Sequence, residues 1–260
     1  MKFSKSEIQG LRLLSRKKVR DQEGRFVVEG WKMVGEGLTS DFTVEVVGYA
    51  PTSKTTEEER RILALAQQRA VPIKEMTSKE LGLVASTVHA QGIIAVMRRK
   101  VQNLSEVSVN SMNLAVILDA VSDPGNLGSI LRTSDWFGVD VVLLGKECAS
   151  AYNEKVVRST AGSLFHLGVV EEVDVVESIR LLRKGGFRVW ATATKGTSVG
   201  RIQAGSAKVA LVMGNEARGL SDAVLSEADE VVSIPRVGKA ESLNVAVACG
   251  IVLSYIRAAE

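Results

Sequence analysis

From Leu114 onward the chain alternates apolar runs with amphipathic segments, and this alternation narrows the possible folds more than any other feature. Leu114-Ala-Val-Ile-Leu118 is followed by similar runs over 139–144, 188–192, 209–213 and 230–234. Runs this short and this continuously apolar suit strands covered on both faces. Segments with helical patterning over 127–137, 154–165, 175–184 and 221–228, and a last one from Leu243, separate and follow them. Alternation of this kind predicts an α/β fold, a parallel sheet with helices on both faces. In such sheets ligands sit beyond the carboxyl ends of the strands, so the loops that leave the strands are where chemistry is sought.

The last of those loops leads into an unusual helix. Val231-Val-Ser-Ile234 ends at Pro235, which cannot donate to a ladder. Ser242 is a predicted N-cap. From Leu243 to Ile256 the sequence is apolar on almost every face, so the helix is expected to be buried all round, against its own sheet and a second surface. Asn244 is the exception. Either it caps the helix through the local backbone, or another polar group meets it, because a buried amide without a partner costs about 1–3 kcal/mol.

Residues 1–105 carry 18 Lys+Arg and 12 Asp+Glu (18 − 12 = +6), and residues 106–260 carry 15 and 18 (15 − 18 = −3). The basic excess therefore lies in the first part of the chain, where a polyanionic partner is expected. Lys2, Lys5, Arg12, Arg16, Lys17, Lys18 and Arg20 accompany an apolar stripe of Ile8, Leu11, Leu14 and Val19. A basic amphipathic helix of this kind suits a phosphate backbone or simple docking. Strands over 25–29, 42–49, 71–74 and 91–97, with helices over 31–38, 56–70 and 78–84, make a small α/β unit. Residues 101–113 read as a linker. No apolar run reaches the roughly 20 residues of a membrane span, and no signal peptide is evident. Cys148 and Cys249 read as free thiols of a cytoplasmic protein. His89 and His166, without clustered cysteines, offer no metal site.

Three loops at predicted strand ends carry polar residues among glycines. In the first, Pro124-Gly125 makes a turn and Asn126 is positioned to cap the helix that follows. Gly128, Arg132 and Asp135 fall at i, i+4 and i+7, and helical side chains lean toward the N-terminus, so Arg132 folds back over Gly128. It is either a functional cation at the sheet edge or the partner of Asp135. The second loop, Gly214-Asn-Glu-Ala-Arg-Gly-Leu220, is neither a dinucleotide fingerprint nor a Walker loop. The third is the Pro235–Asn244 stretch.

In this order and context, three motifs resemble the SpoU (TrmH-like) branch of the SPOUT RNA methyltransferases. They are Asn126-x-Gly128-x-Ile130-x-Arg132, Gly214-x-Glu216-x-x-Gly219-Leu220, and Ile234-Pro235-x-x-Gly238-x-x-x-Ser242-Leu243-Asn244-Val245. The likeness spans about 112–258. Residues 1–100, through Gln91-Gly-Ile-Ile-Ala-Val96 and their element order, look like an L30e-like substrate-binding domain.

The resemblance implies a C-terminal trefoil knot holding S-adenosylmethionine, a metal-free reaction, and a homodimer formed through the knot helices. Carried over by position, Arg132, Asn126, Glu216, Ser242 and Asn244 fall on catalytic positions. Ala193, Thr194, Gly214, Gly219, Leu220, Ile234, Ser242 and Leu243 fall on cofactor-binding ones. The expected arrangement is 1–105, the L30e-like domain with its linker, followed by 106–260, the methyltransferase domain. The expected reaction is methylation of a ribose 2′-hydroxyl in structured RNA, ribosomal rather than transfer RNA. The alternatives are a transfer RNA methyltransferase, a catalytically silent ribosome-assembly factor on the same fold, and a dinucleotide-binding enzyme, against which the missing fingerprint counts.

Overall fold

The computed structural model describes residues 1–52, 56–85, 87, 90–202, 205 and 207–258. His89 lies outside them. The chain forms two compact units, Met1–Lys100 with Tyr152–His166, and Val101–Ala151 with Leu167–Glu260.

In the first unit, α1 (Lys5–Leu13) and α2 (Lys17–Glu23) precede β1 (Arg25–Glu29), α3 (Trp31–Thr39), β2 (Val44–Tyr49), α4 (Glu57–Gln68), β3 (Ile73–Glu75), α5 (Ser78–Val84) and β4 (Ile93–Arg98). The sheet order is β1-β4-β2-β3. β4 is antiparallel to both β1 and β2, and β2 and β3 are parallel. Ser4–Glu7, Thr56–Glu59 and Thr77–Glu80 form capping boxes that start α1, α4 and α5. The basic N-terminal stretch is two helices rather than one. Ile8, Leu11 and Leu14 are buried as its stripe requires, but so is Arg20, whose Nη1 donates to the carbonyls of Leu14 and Ser15. That guanidinium is committed to closing the end of α1 and is withdrawn from the basic surface.

The second unit contains β5 (Leu114–Leu118), α6 (Pro124–Trp136) and β6 (Val141–Gly145). After β6 the chain enters the first unit as α7 (Glu154–Ser159) and a 3-10 turn, Ser163–Phe165. It returns as β7 (Gly168–Val173), α8 (Val175–Lys184), β8 (Arg188–Ser198), β9 (Val209–Met213), α9 (Asp222–Leu225), β10 (Glu230–Ser233) and α10 (Val245–Ala258). The sheet runs β10-β8-β9-β5-β6-β7 with every neighbouring pair parallel. All residues of β5, β6 and β9 are buried, which matches their unbroken apolar sequence.

Several expectations are corrected. The edge strand β7 was not anticipated, because Glu171 and Glu172 interrupt its apolar pattern; only Val169, Val170 and Val173 are buried. The helix expected over 154–165 stops at Ser159, since Ala161 adopts left-handed angles (φ 52°) that no helix continues through. The supposed linker is packed onto the second unit. Val107 joins its core, and Lys208 Nζ donates to the carbonyls of Val109 (3.2 Å) and Asn110 (2.8 Å).

The visit of 152–166 to the first unit is an aromatic insertion. Tyr152 packs at a tilt on Phe26, ring centroids 4.9 Å apart, and Phe165 meets Phe42 edge-on at 5.3 Å. The Tyr152 hydroxyl donates to the Lys100 carbonyl (2.9 Å), and Arg99 lies over its ring. Helix α10 starts at Val245, two residues later than expected, and buries Val245, Cys249, Val252, Leu253 and Ile256. It is not buried all round in the single chain. Val247 and Tyr255 are about half exposed, and Trp136 on α6 is 85 % exposed.

Candidate active site

Asn126 does not cap α6. Asp123 does, its Oδ1 accepting from the Asn126 amide (2.8 Å), with Pro124 filling the first helical position. Asn126 thus stands inside the first turn with its carboxamide free to face the other loops.

Ser242 likewise does not cap α10. Asn244 does, its Oδ1 accepting from the amides of Ala246 (2.9 Å) and Val247 (3.3 Å). With the oxygen so occupied, the Asn244 nitrogen must be the donor to its next partner, and it donates to Asn126 Oδ1 (2.8 Å). Asn126 then has only its own nitrogen to offer, and it donates to Glu216 Oε1 (2.7 Å). The direction of every bond in this chain follows from one helix cap. Both alternatives for Asn244 are realised together: it caps its helix and it meets a polar partner.

The turn carrying Glu216 is tightly closed. Asn215 and Gly219 form an isolated bridge, and the Gly219 amide donates to the Asn215 carbonyl (2.9 Å). A Cβ on Gly214 would lie 2.6 Å from Gly219 C, 2.7 Å from Gly219 O and 2.8 Å from Leu220 N, so only glycine fits. Gly219 is needed for a different reason, its φ of 68°, with open space where a side chain would go. Leu220 is buried below the turn.

The remaining expected residues lie around these loops. β10 pairs with β8 through Val231↔Ala191 and then Val232↔Thr197, so residues 192–196 bulge out of the ladder; Ala193 and Thr194 are in that bulge. Ser233 Oγ donates to the Gly196 carbonyl (3.0 Å) across its far end. Ile234 is half-buried just past β10, and Ser242 and Leu243 are exposed. Among the described residues, no backbone group from 236 to 243 bonds another backbone group. Arg132 is exposed and makes no hydrogen bond or ion pair among the described residues, so the pairing with Asp135 does not form. The structure brings Asn126, Glu216 and Asn244 into one hydrogen-bonded chain; no hydrogen bond or ion pair joins Arg132 or Ser242 to it among the described residues.

Sequence reasoning overlooked Asp123 and Asn215, which do their work through side-chain bonds to the backbone, local for Asp123 and both local and distant for Asn215, that leave no motif of their own. It also overlooked Asp119, at the end of β5. Burial pushes its carboxyl above the usual range, Glu147 adds to the shift, and Arg218 opposes it. Burial likewise pushes the neighbouring Cys148 thiol up to about 11.

Comparison with known proteins agrees with this geometry. The profile of the SpoU rRNA Methylase family matches residues 113–254, and that of the MRM3-like substrate binding domain matches residues 5–95. RlmP of Bacillus subtilis, a 23S rRNA (guanosine(2553)-2′-O)-methyltransferase, is 32% identical over 244 residues, which is 94% of this chain and 93% of the relative. The AdoMet-bound rRNA methyltransferase of Sinorhizobium meliloti superposes with a TM-score of 0.87 at 29% identity, covering 98% of this chain and 95% of that one. The SpoU methyltransferase AviRb of Streptomyces viridochromogenes, in complex with AdoMet, gives 0.86 at 26% identity, covering 98% of each chain. S-adenosylmethionine is the cofactor of these enzymes. An N-terminal substrate-binding domain, a buried parallel sheet, and three loops joined through Asn126 therefore have one explanation: this chain belongs to the SpoU rRNA methylase family of methyltransferases.

Proposed function

We propose that the protein transfers the methyl group of S-adenosylmethionine to a ribose 2′-hydroxyl in ribosomal RNA. The observation that carries this is the Asn244–Asn126–Glu216 chain, which joins the three loops at the carboxyl edge of the sheet. The Bacillus relative that covers nearly the whole chain supports the ribose hydroxyl and the ribosomal substrate.

The residues present fit the cofactor. A nucleoside held by main chain needs unpaired backbone groups beside a narrow turn. The 236–243 segment, where the Ala240 carbonyl is taken by Arg236 Nη1 but no backbone group bonds another among the described residues, supplies the first and the Gly214–Gly219 turn the second. Gly214, Gly219, Leu220, Ile234, Ser242 and Leu243 would hold it, with Ala193 and Thr194 at the adenosine end. When bound, it supplies an electrophilic sulfonium methyl.

The protein's own contribution is orientation of the hydroxyl oxygen in line with the methyl it would accept, the hydroxyl proton passing to solvent water as the oxygen–methyl bond forms and the sulfur–methyl bond breaks. Arg132, exposed and without a partner among the described residues, grips a substrate phosphate and aligns the hydroxyl. Asn126, Glu216, Asn244 and Ser242 fix the reacting nucleotide. Residues 1–105 hold the RNA through their +6 excess.

A homodimer covers the exposed face of α10, where Val247 and Tyr255 lie, together with Trp136. The trefoil knot is supported by connectivity: α10 follows the edge strand β10, yet it packs on α6, which follows β5 beyond β8 and β9. No helix among the described residues is long and apolar enough to cross a membrane, and a ribosomal substrate puts the enzyme in the cytoplasm.

The test is to map 2′-O-methyl groups in ribosomal RNA from cells with and without this gene. The expected result is the loss of one modification, and the 23S guanosine named for the Bacillus enzyme is the first position to inspect. An unchanged map, with no transfer in vitro, would favour the silent assembly factor. Sedimentation as a monomer at micromolar concentration would refute the dimer.

A further inference from the structure

Glu216 reaches Asn126 only if its turn is held at the right height above the sheet, and the residue before it is fully engaged. Asn215 Oδ1 accepts from the amides of Ala217 (2.9 Å) and Arg218 (3.1 Å), closing the turn on itself. Its oxygen thus occupied, Asn215 donates through Nδ2 to the Ala120 carbonyl (2.9 Å) in the loop after β5. Ala120 is held at φ 58°, a conformation alanine rarely adopts. Among the described residues, only this bond and that of Glu216 itself join the 215–219 turn to the 119–126 loop by hydrogen bonds.

We propose that Asn215 is a positioning residue for methyl transfer. Its carboxamide braces the turn against Ala120, so that Glu216 meets Asn126 with the loops already in place. This rests on the methyltransferase reading above and adds a residue to it. Each carboxamide atom has a separate task. The oxygen shapes the turn, and the nitrogen sets its position relative to the loop that leads into α6. A residue of nearly the same size that keeps the first function and loses the second should therefore leave the fold standing and slow the reaction.

Asn215→Asp is that residue: it retains the acceptor for Ala217 and Arg218 and sets an oxygen against the Ala120 carbonyl. The assay is transfer of tritiated methyl from S-adenosylmethionine to ribosomal RNA taken from cells lacking this gene, using the full chain. A misplacement of the reacting groups on the order of 1 Å costs up to about 100-fold, so kcat is expected to fall by about 10- to 100-fold. The unfolding temperature should stay near the wild-type value, and KM for the cofactor should rise by less than kcat falls, because the oxygen still holds the turn in its own shape. Because Asn215 acts through Glu216, adding Asn215→Asp to Glu216→Gln should slow that variant by less than about threefold. Should Asn215→Asp not fold, Asn215→Ser repeats the test, since its hydroxyl serves the turn but falls short of Ala120.

Multiplying effects in the double variant, or failure of both substitutions to fold, would make Asn215 merely structural and overturn the proposal. So would an active wild type matched by an equally active Asn215→Asp. An inactive wild type would instead overturn the reading of the reaction, and this proposal with it.

Discussion

Gly214 and Gly219 bound the same short turn, yet the structure requires each for a different reason, and alanine at each position separates the two. At Gly214 the new Cβ would sit 2.6 Å from a backbone carbon and 2.8 Å from a backbone nitrogen. Backbone atoms cannot rotate aside, so the turn must open by roughly 0.8 Å to reach ordinary contact distance. That opening strains the Asn215–Gly219 bridge and draws Glu216 away from Asn126. Overpacking of this kind costs about 1–3 kcal/mol, which for a unit of this size lowers the unfolding temperature by about 2–4 °C per kcal/mol. Cofactor affinity should fall by about 10-fold or more, because the displaced backbone is the proposed binding surface and each 1.4 kcal/mol is tenfold. At Gly219 there is open space, and alanine meets only the cost of left-handed angles, about 1–2 kcal/mol, with little change in the position of the turn. Calorimetric titration with S-adenosylmethionine and thermal unfolding of both variants are the measurements. If Gly214→Ala bound the cofactor as tightly as Gly219→Ala, the turn would not be the cofactor surface.

Arg132→Ala should abolish methyl transfer while cofactor binding, read by calorimetry, stays nearly intact. Arg132→Lys should recover little activity at neutral pH, because the ammonium lacks the planar fork; substantial recovery with a rising pH profile would instead point to a base. Asn244→Ala removes both a helix cap and the donor to Asn126, at about 1 kcal/mol each, so thermal unfolding should show a loss of about 2 kcal/mol. A loss no larger than that of Ser242→Ala would show that the cap is not at Asn244. Burial pushes the thiols of Cys148 and Cys249 up to about 11 and about 12. Iodoacetamide at pH 8 should therefore leave both unmodified by mass spectrometry until the protein unfolds, with Cys148 gaining reactivity only as the pH climbs toward its pKa.

The α/β order of the second unit was legible because its central strands are buried on both faces and so are written as unbroken apolar runs. β5 and β9 coincide with the runs 114–118 and 209–213, and α8 with the segment 175–184. β7 was illegible because an edge strand tolerates Glu171 and Glu172. The motif residues Asn126, Glu216 and Asn244 stood out together through the resemblance to the SpoU branch, and the structure joins them by hydrogen bonds.

What joins them was not legible. Sequence offered Asn126 as one cap and Ser242 or Asn244 as the other; the fold put the first at Asp123 and chose Asn244 for the second, because a cap depends on which residue bends out of the helix and not on its type alone. The same holds for unit composition. The +6 charge of residues 1–105 is read directly from the chain, but Arg20 is removed from that surface by burial. The core those residues build is completed by Tyr152 and Phe165, from the middle of the other unit's sequence. Cutting the chain at residue 100 would therefore strip the cover from those aromatic side chains. Local patterning fixed which segments become strands and helices, since that depends on residues a few positions apart. Tertiary structure decided which distant segments share a core and which amide meets which carboxylate, since those contacts depend on the path of the chain between them.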